Sequence, residues 1–180
     1  MSHFTVAVFH YPNDDLDEIL APYDENITVE PYIDMTKSQA IEYVRTFFNF
    51  KDKTDEELYQ MAVNIMGEVD EDGNIYSNRN PKAKWDWWTI GGRWSGMLKL
   101  KNKDEYTDSA CVEDIDFDDE PIVTFAVITI DGEWHEKGEM GYWACYKANE
   151  DTDDWDSNFR KRFIDTADPN WILTIVDCHI

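Results

Sequence analysis

Four of the eight tryptophans stand within ten residues, in the sequence NPKAKWDWWTIGGRWSGML of residues 80–98. Side chains alternate between the two faces of an extended chain, so Trp85 and Trp87 are expected to share one face and Trp88 to take the other. Tryptophan side chains bury a large area and usually lie in a core or an interface. The stretch therefore predicts either a packed element at the centre of the fold or a site for a ligand or a partner protein.

Charge singles out the same stretch. Residues 79–103 contain seven basic residues and one acid, Asp86, so this segment carries +6 inside a chain of net charge -23. An anion can approach such a basic island without repulsion, and the guanidinium of Arg93 suits a phosphate or carboxylate. The alternative to a ligand site is that the stretch serves only in packing, so that the Gly-Gly pair forms a turn and Arg93 pairs with an acid of the chain. The predicted ligand-binding residues are Trp85, Trp87, Gly91, Gly92, Arg93 and Trp94.

Composition limits the class of protein. The net charge of -23 repels nucleic acids and anionic membranes and favours basic partners, although a nucleic-acid mimic would also be this acidic. No apolar run approaches the roughly 20 residues needed to span a bilayer, and the start has no signal-peptide pattern. Cys111, Cys145 and Cys178 lack CxxC spacing, which indicates free thiols and a cytoplasmic location.

Hydrophobic periodicity predicts an α+β protein with a single domain over residues 1–180. Helices are expected over residues 13–20 (with Asn13 or Asp14 as N-cap), after Thr36, after Thr54, and where Trp155, Phe159 and Phe163 recur every four residues. Buried or paired strands are expected at residues 4–9, 27–33, 97–101, 122–130, 133–136, 141–146 and 171–176. Strand runs interrupted by grouped helices favour a mostly antiparallel sheet with three or four helices packed largely on one face.

Three histidines form a second candidate constellation. His3 opens the first strand, His135 lies in the second arm of a hairpin, and His179 is the penultimate residue. If the first and last strands are antiparallel neighbours, His3 and His179 lie side by side. The candidate catalytic residues are His3, His135, His179 and Glu139, and the candidate metal ligands are His3, His135, His179 and Asp177, with Glu136 nearby in sequence. The alternative is that these histidines are structural, with their hydrogen bonds made inside the protein. No GxSxG, HExxH, Walker or GxGxxG pattern is present.

The start MSHFTVAV, the central NPKAKWDWWTIGGRWSG, the later DGEWHEKGEMGYW and the terminal DCHI resemble an uncharacterised family from bacteriophages and some bacteria. The resemblance covers nearly the whole chain and implies no established activity. It implies an accessory or counter-defence protein that is made in the host cytoplasm. The residues that it marks for testing are His3, Trp85, Asp86, Trp87, Gly91, Gly92, Arg93, Trp94, Trp134, His135 and His179.

Three functions are therefore open. The first is a non-enzymatic binding protein that inhibits or sequesters a host protein through its acidic surface or its Trp-Arg patch. The second is an enzyme or binder for an anionic, nucleotide-like small molecule, which requires Arg93 and at least two histidines to converge on one pocket. The third is a structural protein with no ligand. No cofactor is predicted apart from a metal at the histidines, and neither a membrane nor direct nucleic-acid binding is expected.

Overall fold

The computed structural model describes residues 3–101, 103–140, 146–148 and 152–180. Its α-helices are α1 (Leu16–Leu20), α2 (Lys37–Phe47), α3 (Asp55–Met66) and α4 (Thr152–Phe159), and a π-helix follows α4 at Arg160–Ile164. Its strands are β1 (His3–His10), β2 (Thr28–Met35), β3 (Ile75–Arg79), β4 (Trp87–Ile90), β5 (Leu98–Lys99), β6 (Tyr106–Thr107), β7 (Ser109–Cys111), β8 (Ala126–Ile128), β9 (Trp134–Glu136), β10 (Gly138–Met140), β11 (Tyr146–Ala148) and β12 (Ile172–His179). Nearly all strand pairs are antiparallel, which confirms the predicted α+β class.

The chain divides into two compact units, residues 1–24 with 82–180 and residues 25–81. The prediction of a single domain stays a prediction. Among the described residues, no helix is long and apolar enough to cross a membrane.

The larger unit is built on a six-stranded sheet of the described residues. Five of its strands follow the order β4-β12-β1-β8-β9, and the sixth, β7, also pairs with β12. The long strands β1 and β12 are antiparallel neighbours, and their register pairs His3 with His179. This confirms that the two histidines lie side by side. Only β1 and β8 run parallel within this sheet.

Alternation along β1 and β12 gives the sheet two apolar faces. One face joins Ala7 and Ile175 to Phe159 of α4, and we call this cluster the α4-side core. The opposite face joins Val6 and Val176 to the residues of α1, and we call this cluster the α1-side core. Side chains two residues apart along a strand share a face. On the face of the α4-side core, the side chains near the start of β1 and the end of β12 are polar instead of apolar.

The smaller unit consists of α2, α3 and the two-stranded sheet β2-β3. Thr36 and Thr54 both form capping boxes at the helix starts, with Gln39 and Glu57 as the third helical residues. This confirms the two predicted N-caps. A small core formed by these elements is lined by Ala40, Val44, Leu58, Ala62 and Ile75.

Replacing Thr54 with alanine is expected to lower the free energy of unfolding by about 1 kcal/mol, because the Glu57 backbone N–H loses its acceptor. Urea unfolding followed by circular dichroism measures the change. Thr46→Ala is the matched control, since Thr46 lies inside α2 and the substitution raises helix propensity. An equal loss of stability in both variants would contradict the assignment of Thr54 as a cap.

Several predicted boundaries are wrong. The first helix begins at Leu16 with Asp15 as its N-cap, because the Asp15 carboxylate accepts from the Asp17 N–H. The strand predicted over 122–130 is only three residues long, because Phe125 N–H bonds the Thr5 hydroxyl instead of a ladder carbonyl. Residues 141–145 of the predicted strand 141–146 lie outside the described residues, as does Cys145.

Candidate functional site

The Gly-Gly-Arg turn crosses the polar end of β12. Gly91 and Gly92 have positive φ angles of 67° and 53°, and Gly91 N–H bonds the Ile175 carbonyl at 2.8 Å. A side chain at Gly91 would overlap the carboxylate of Asp108, and one at Gly92 would overlap Asp177. Both glycines are therefore needed to let the turn lie directly against two carboxylates.

Asp177 is the buried centre of this region, with its side chain 2% exposed. The Nδ1–H of His3 donates to Oδ1 at 2.8 Å, and the backbone N–H of Arg93 donates to Oδ2 at 3.0 Å. The N-terminal residue of β1, the C-terminal part of β12 and the glycine turn thus meet at one carboxylate. The two donors therefore satisfy both oxygens of this buried carboxylate.

His179 forms a second histidine–aspartate pair next to the first. Its Nδ1 donates to Asp86 Oδ1 at 2.6 Å, and the Asp86 N–H donates back to the His179 carbonyl at 2.9 Å. The His3 and His179 ring centroids are 5.0 Å apart, and Trp87 stacks on His179 at 5.2 Å with 15° between the planes. We call His3, Asp177, His179, Asp86 and Trp87 the paired-histidine site.

The two carboxylates fix the tautomers of both imidazoles. Each carboxylate can only accept, so Nδ1 carries the proton in both rings and Nε2 is left as the reactive nitrogen of the neutral form. Within the part of the chain that the structure describes, neither Nε2 has a hydrogen-bond partner. His3 and His179 are 12% and 8% exposed, so the site combines oriented imidazoles with restricted solvent access.

Three of the seven basic residues of the basic island pair with acids. Lys84 pairs with Glu136 at 2.7 Å, Lys99 pairs with Asp119, and Lys103 lies 3.7 Å from Glu105. Arg93, in contrast, is exposed, and no acid among the described residues forms an ion pair with its guanidinium. The guanidinium of Arg93 is therefore available to an external anion.

The backbone donors of the turn are also in use. Arg93 N–H bonds Asp177, Trp94 N–H bonds the Gly91 carbonyl at 2.9 Å, and Gly96 N–H bonds Asp108 at 2.5 Å. Backbone N–H groups of this kind could otherwise bind an anionic ligand. Two carboxylates and one carbonyl of the same chain accept from these three donors, so the Arg93 side chain is the group of the turn that we expect an anion to contact.

The predicted pairing of tryptophan faces is wrong. Trp85 is buried, 7% exposed, in the α1-side core, where Trp88 also packs, whereas Trp87 is 43% exposed on the opposite face. The strand begins only at Trp87, so alternation does not extend back to Trp85. Trp94 packs against the α4-side core. Of the four tryptophans, Trp87 is the one that shares the paired-histidine site.

His135 and Glu139 do not join this site by their position in the sheet. His135 pairs with Val127, which pairs with Ala7, four residues along β1 from His3. Four residues of a strand span about 13 Å. Glu139 stands on β10 opposite Lys147 in a separate two-stranded sheet. His135 instead lines a cavity of its own.

Among the described residues, no three or more His, Cys, Asp or Glu side chains lie in an arrangement that could hold a metal ion. The paired histidines offer two Nε2 atoms, fewer than the three protein ligands typical of a catalytic zinc site. Burial raises the pKa of the Cys178 thiol, which fits a packing role for this residue. The arrangement thus favours proton transfer and anion binding by the imidazoles.

Sequence reasoning missed the roles of Asp86 and Asp108. Asp86 was noted as the single acid of the basic island and was marked by the resemblance, but its partner His179 is 93 residues away in sequence. Asp108 gave no signal, although it bonds Ser95 and Gly96 and contacts Gly91. Comparisons with protein-family models, with curated proteins and with solved structures give no match.

Proposed function

We propose that the paired-histidine site binds an anionic, nucleotide-like small molecule. The observation that carries the proposal is the pair of neighbouring imidazoles, each held through Nδ1 by its own carboxylate, with both Nε2 atoms unpartnered among the described residues. Two oriented Nε2 atoms next to each other suit the oxygens of a phosphate, because imidazolium N–H groups donate strongly to anionic oxygen.

Trp87 and Arg93 supply the remaining interactions. One face of Trp87 stacks on His179, and the 43% exposure of Trp87 leaves indole surface for a base. Stacking of a base on an aromatic side chain contributes about 1–3 kcal/mol. Arg93 is tied to the site by its backbone bond to Asp177, and its guanidinium is exposed. We expect this guanidinium to bind the phosphate.

The same histidines are equipped for acid–base chemistry on a phosphoester. A neutral imidazole can take a proton from an attacking water, while the neighbouring imidazolium gives a proton to the leaving oxygen. Asp177 and Asp86 orient the rings and stabilise the imidazolium form, as carboxylates do for catalytic histidines. Binding is the proposed function, and hydrolysis is the reaction for which this geometry is suited.

Adenosine 5′-monophosphate is the first probe, with adenosine and inorganic phosphate as its separate parts. We expect isothermal titration calorimetry to show saturable binding of the nucleotide and binding at least about tenfold weaker for either part. Phosphorus NMR of the same mixtures reports hydrolysis. Equal or absent binding of all three probes would contradict the proposal for this ligand class.

Asparagine is the informative substitution at both histidines. Its amide nitrogen occupies the position of Nδ1, so His3→Asn and His179→Asn keep the donor to Asp177 and Asp86 but remove Nε2. We expect the double variant to fold and to bind the nucleotide at least about tenfold more weakly. His135→Asn is the matched control and should bind like the wild type, because His135 lies outside the site.

A second candidate function is the binding of a partner protein along β4. This strand lies at the edge of the described sheet, and Trp87 and Ile90 on it are 43% and 48% exposed. An open groove of about 540 Å³ follows the strand, and the acids Asp17 and Asp86 are among its lining residues. An exposed edge strand can take up an extended segment of another chain, and these acids favour a basic segment.

This second function fits a protein that sequesters a host factor, and Ile90→Lys tests it. A lysine at this edge should weaken capture of a basic partner, while nucleotide binding by the paired histidines stays unchanged. Raising the salt concentration should also weaken capture if charge guides the association. Partner binding that is affected neither by Ile90→Lys nor by added salt would rule out the binding of a basic segment along β4.

A further inference from the structure

A separate cavity of about 290 Å³ opens in the larger unit, on the side where His135 lies. Its aromatic wall contains the buried Phe9 and Phe163 and the half-buried Trp171. The charged groups at its mouth are Asp131, Glu133 and Arg162. A cavity with an apolar interior and a few charged groups at the mouth is the usual form of a small-molecule site.

The π-helix at Arg160–Ile164 forms one side of this cavity. It places Phe163 in the wall, while Arg162 lies at the mouth with its guanidinium 5.0 Å from the Phe163 ring centre. Segments of π-helix are rare and frequently occur at functional sites. The irregular helix is therefore a second observation that points to this cavity as a binding site.

The acids at the mouth belong to the β8–β9 hairpin. The Thr129 hydroxyl donates to Asp131 at 2.6 Å, and this bond lowers the pKa of the Asp131 carboxyl, so the group is ionised at neutral pH. Glu133 is exposed two residues later and lies 3.9 Å from His135 Nε2. The mouth contains two carboxylates and one guanidinium, so its net charge is negative.

We propose that this cavity binds a small aromatic cation of the arylalkylamine class. The ring enters between Trp171 and Phe163, and the ammonium group stays at the mouth near Asp131 and Glu133. The volume suits one ring with a short side chain, and aromatic walls favour an aromatic ring through edge-to-face or offset stacking. The strongly acidic chain adds a long-range attraction for such a ligand.

Phenethylamine is the probe, phenylacetate is the control with the same ring and the opposite charge, and n-butylamine is the control without a ring. Chemical-shift changes in ¹H–¹⁵N NMR spectra measure binding and its location. We expect phenethylamine to saturate the site and both controls to bind at least about tenfold more weakly. Phenylacetate binding as tightly as phenethylamine, or no saturable binding of phenethylamine, would overturn the proposal.

Substitutions at the mouth of the cavity test the contribution of each charged side chain to phenethylamine binding. Glu133→Gln should weaken phenethylamine binding about fivefold, the effect of one exposed ion pair, whereas Arg162→Gln should leave it equal or tighter. The double substitution His3→Asn and His179→Asn should not change phenethylamine binding, so failure here and failure of the nucleotide proposal are distinguishable. Unchanged affinity in Glu133→Gln would overturn the assigned orientation of the cation.

Discussion

Replacing Gly92 with alanine is expected to destabilise the protein by about 3 kcal/mol or more. The cost has two sources. Gly92 has a φ of 53°, which disfavours any side chain, and its new Cβ would overlap the Asp177 carboxylate. Asp177 would have to move, and the bonds from His3 and Arg93 would be lost with it.

Gly132→Ala is the matched control for this prediction. Gly132 has a φ of 80°, but a Cβ there would meet no atom within 4 Å, so only the backbone cost of about 1 kcal/mol is expected. Urea unfolding of both variants, followed by tryptophan fluorescence, measures the difference. Equal destabilisation would show that the close approach between Gly92 and Asp177 does not matter for stability.

Replacing Asp177 with alanine is expected to cost about 3 kcal/mol, because His3 Nδ1–H and Arg93 N–H would both lose their buried acceptor. Nucleotide binding should fall as well, since His3 would no longer be held in one tautomer. Folding and binding are thus expected to change together in this variant.

Asp86→Ala provides the comparison at the other pair. It also removes the carboxylate from a histidine, but the Asp86 side chain is 30% exposed, so water can replace it and the expected cost is about 1 kcal/mol. Denaturant unfolding of the two variants tests the role of burial. A smaller loss in Asp177→Ala than in Asp86→Ala would contradict the account of Asp177 as the centre of the site.

The paired histidines could be predicted from sequence because strand order and register are simple rules. Once β1 and β12 pair antiparallel from end to end, His3 must lie opposite His179. The same reasoning failed for Trp85, since the strand starts at Trp87 and the reciprocal bonds between Asp86 and His179 interrupt the alternation. A boundary error of two residues was enough to put Trp85 on the wrong face.

The partners of charged groups could not be predicted. The count of seven basic residues in 79–103 is correct, but Lys84 and Lys99 pair with acids that are close to them only in the folded chain. Gly91 and Gly92 were predicted to form either a turn or part of a ligand site, and the groups that lie closest to them are carboxylates of the same chain. Long-range contacts of this kind leave no local pattern in sequence.

The central claim is that His3 and His179 bind an anion through Nε2 while their carboxylates hold Nδ1. Long-range ¹H–¹⁵N NMR of the imidazole nitrogens, recorded during a titration with adenosine 5′-monophosphate, tests this most directly. We expect both rings to show a protonated Nδ1 in the free protein and both Nε2 resonances to shift as the nucleotide saturates, with His135 unaffected. A protonated Nε2 with a bare Nδ1 in either ring, or shifts confined to His135, would contradict the claim.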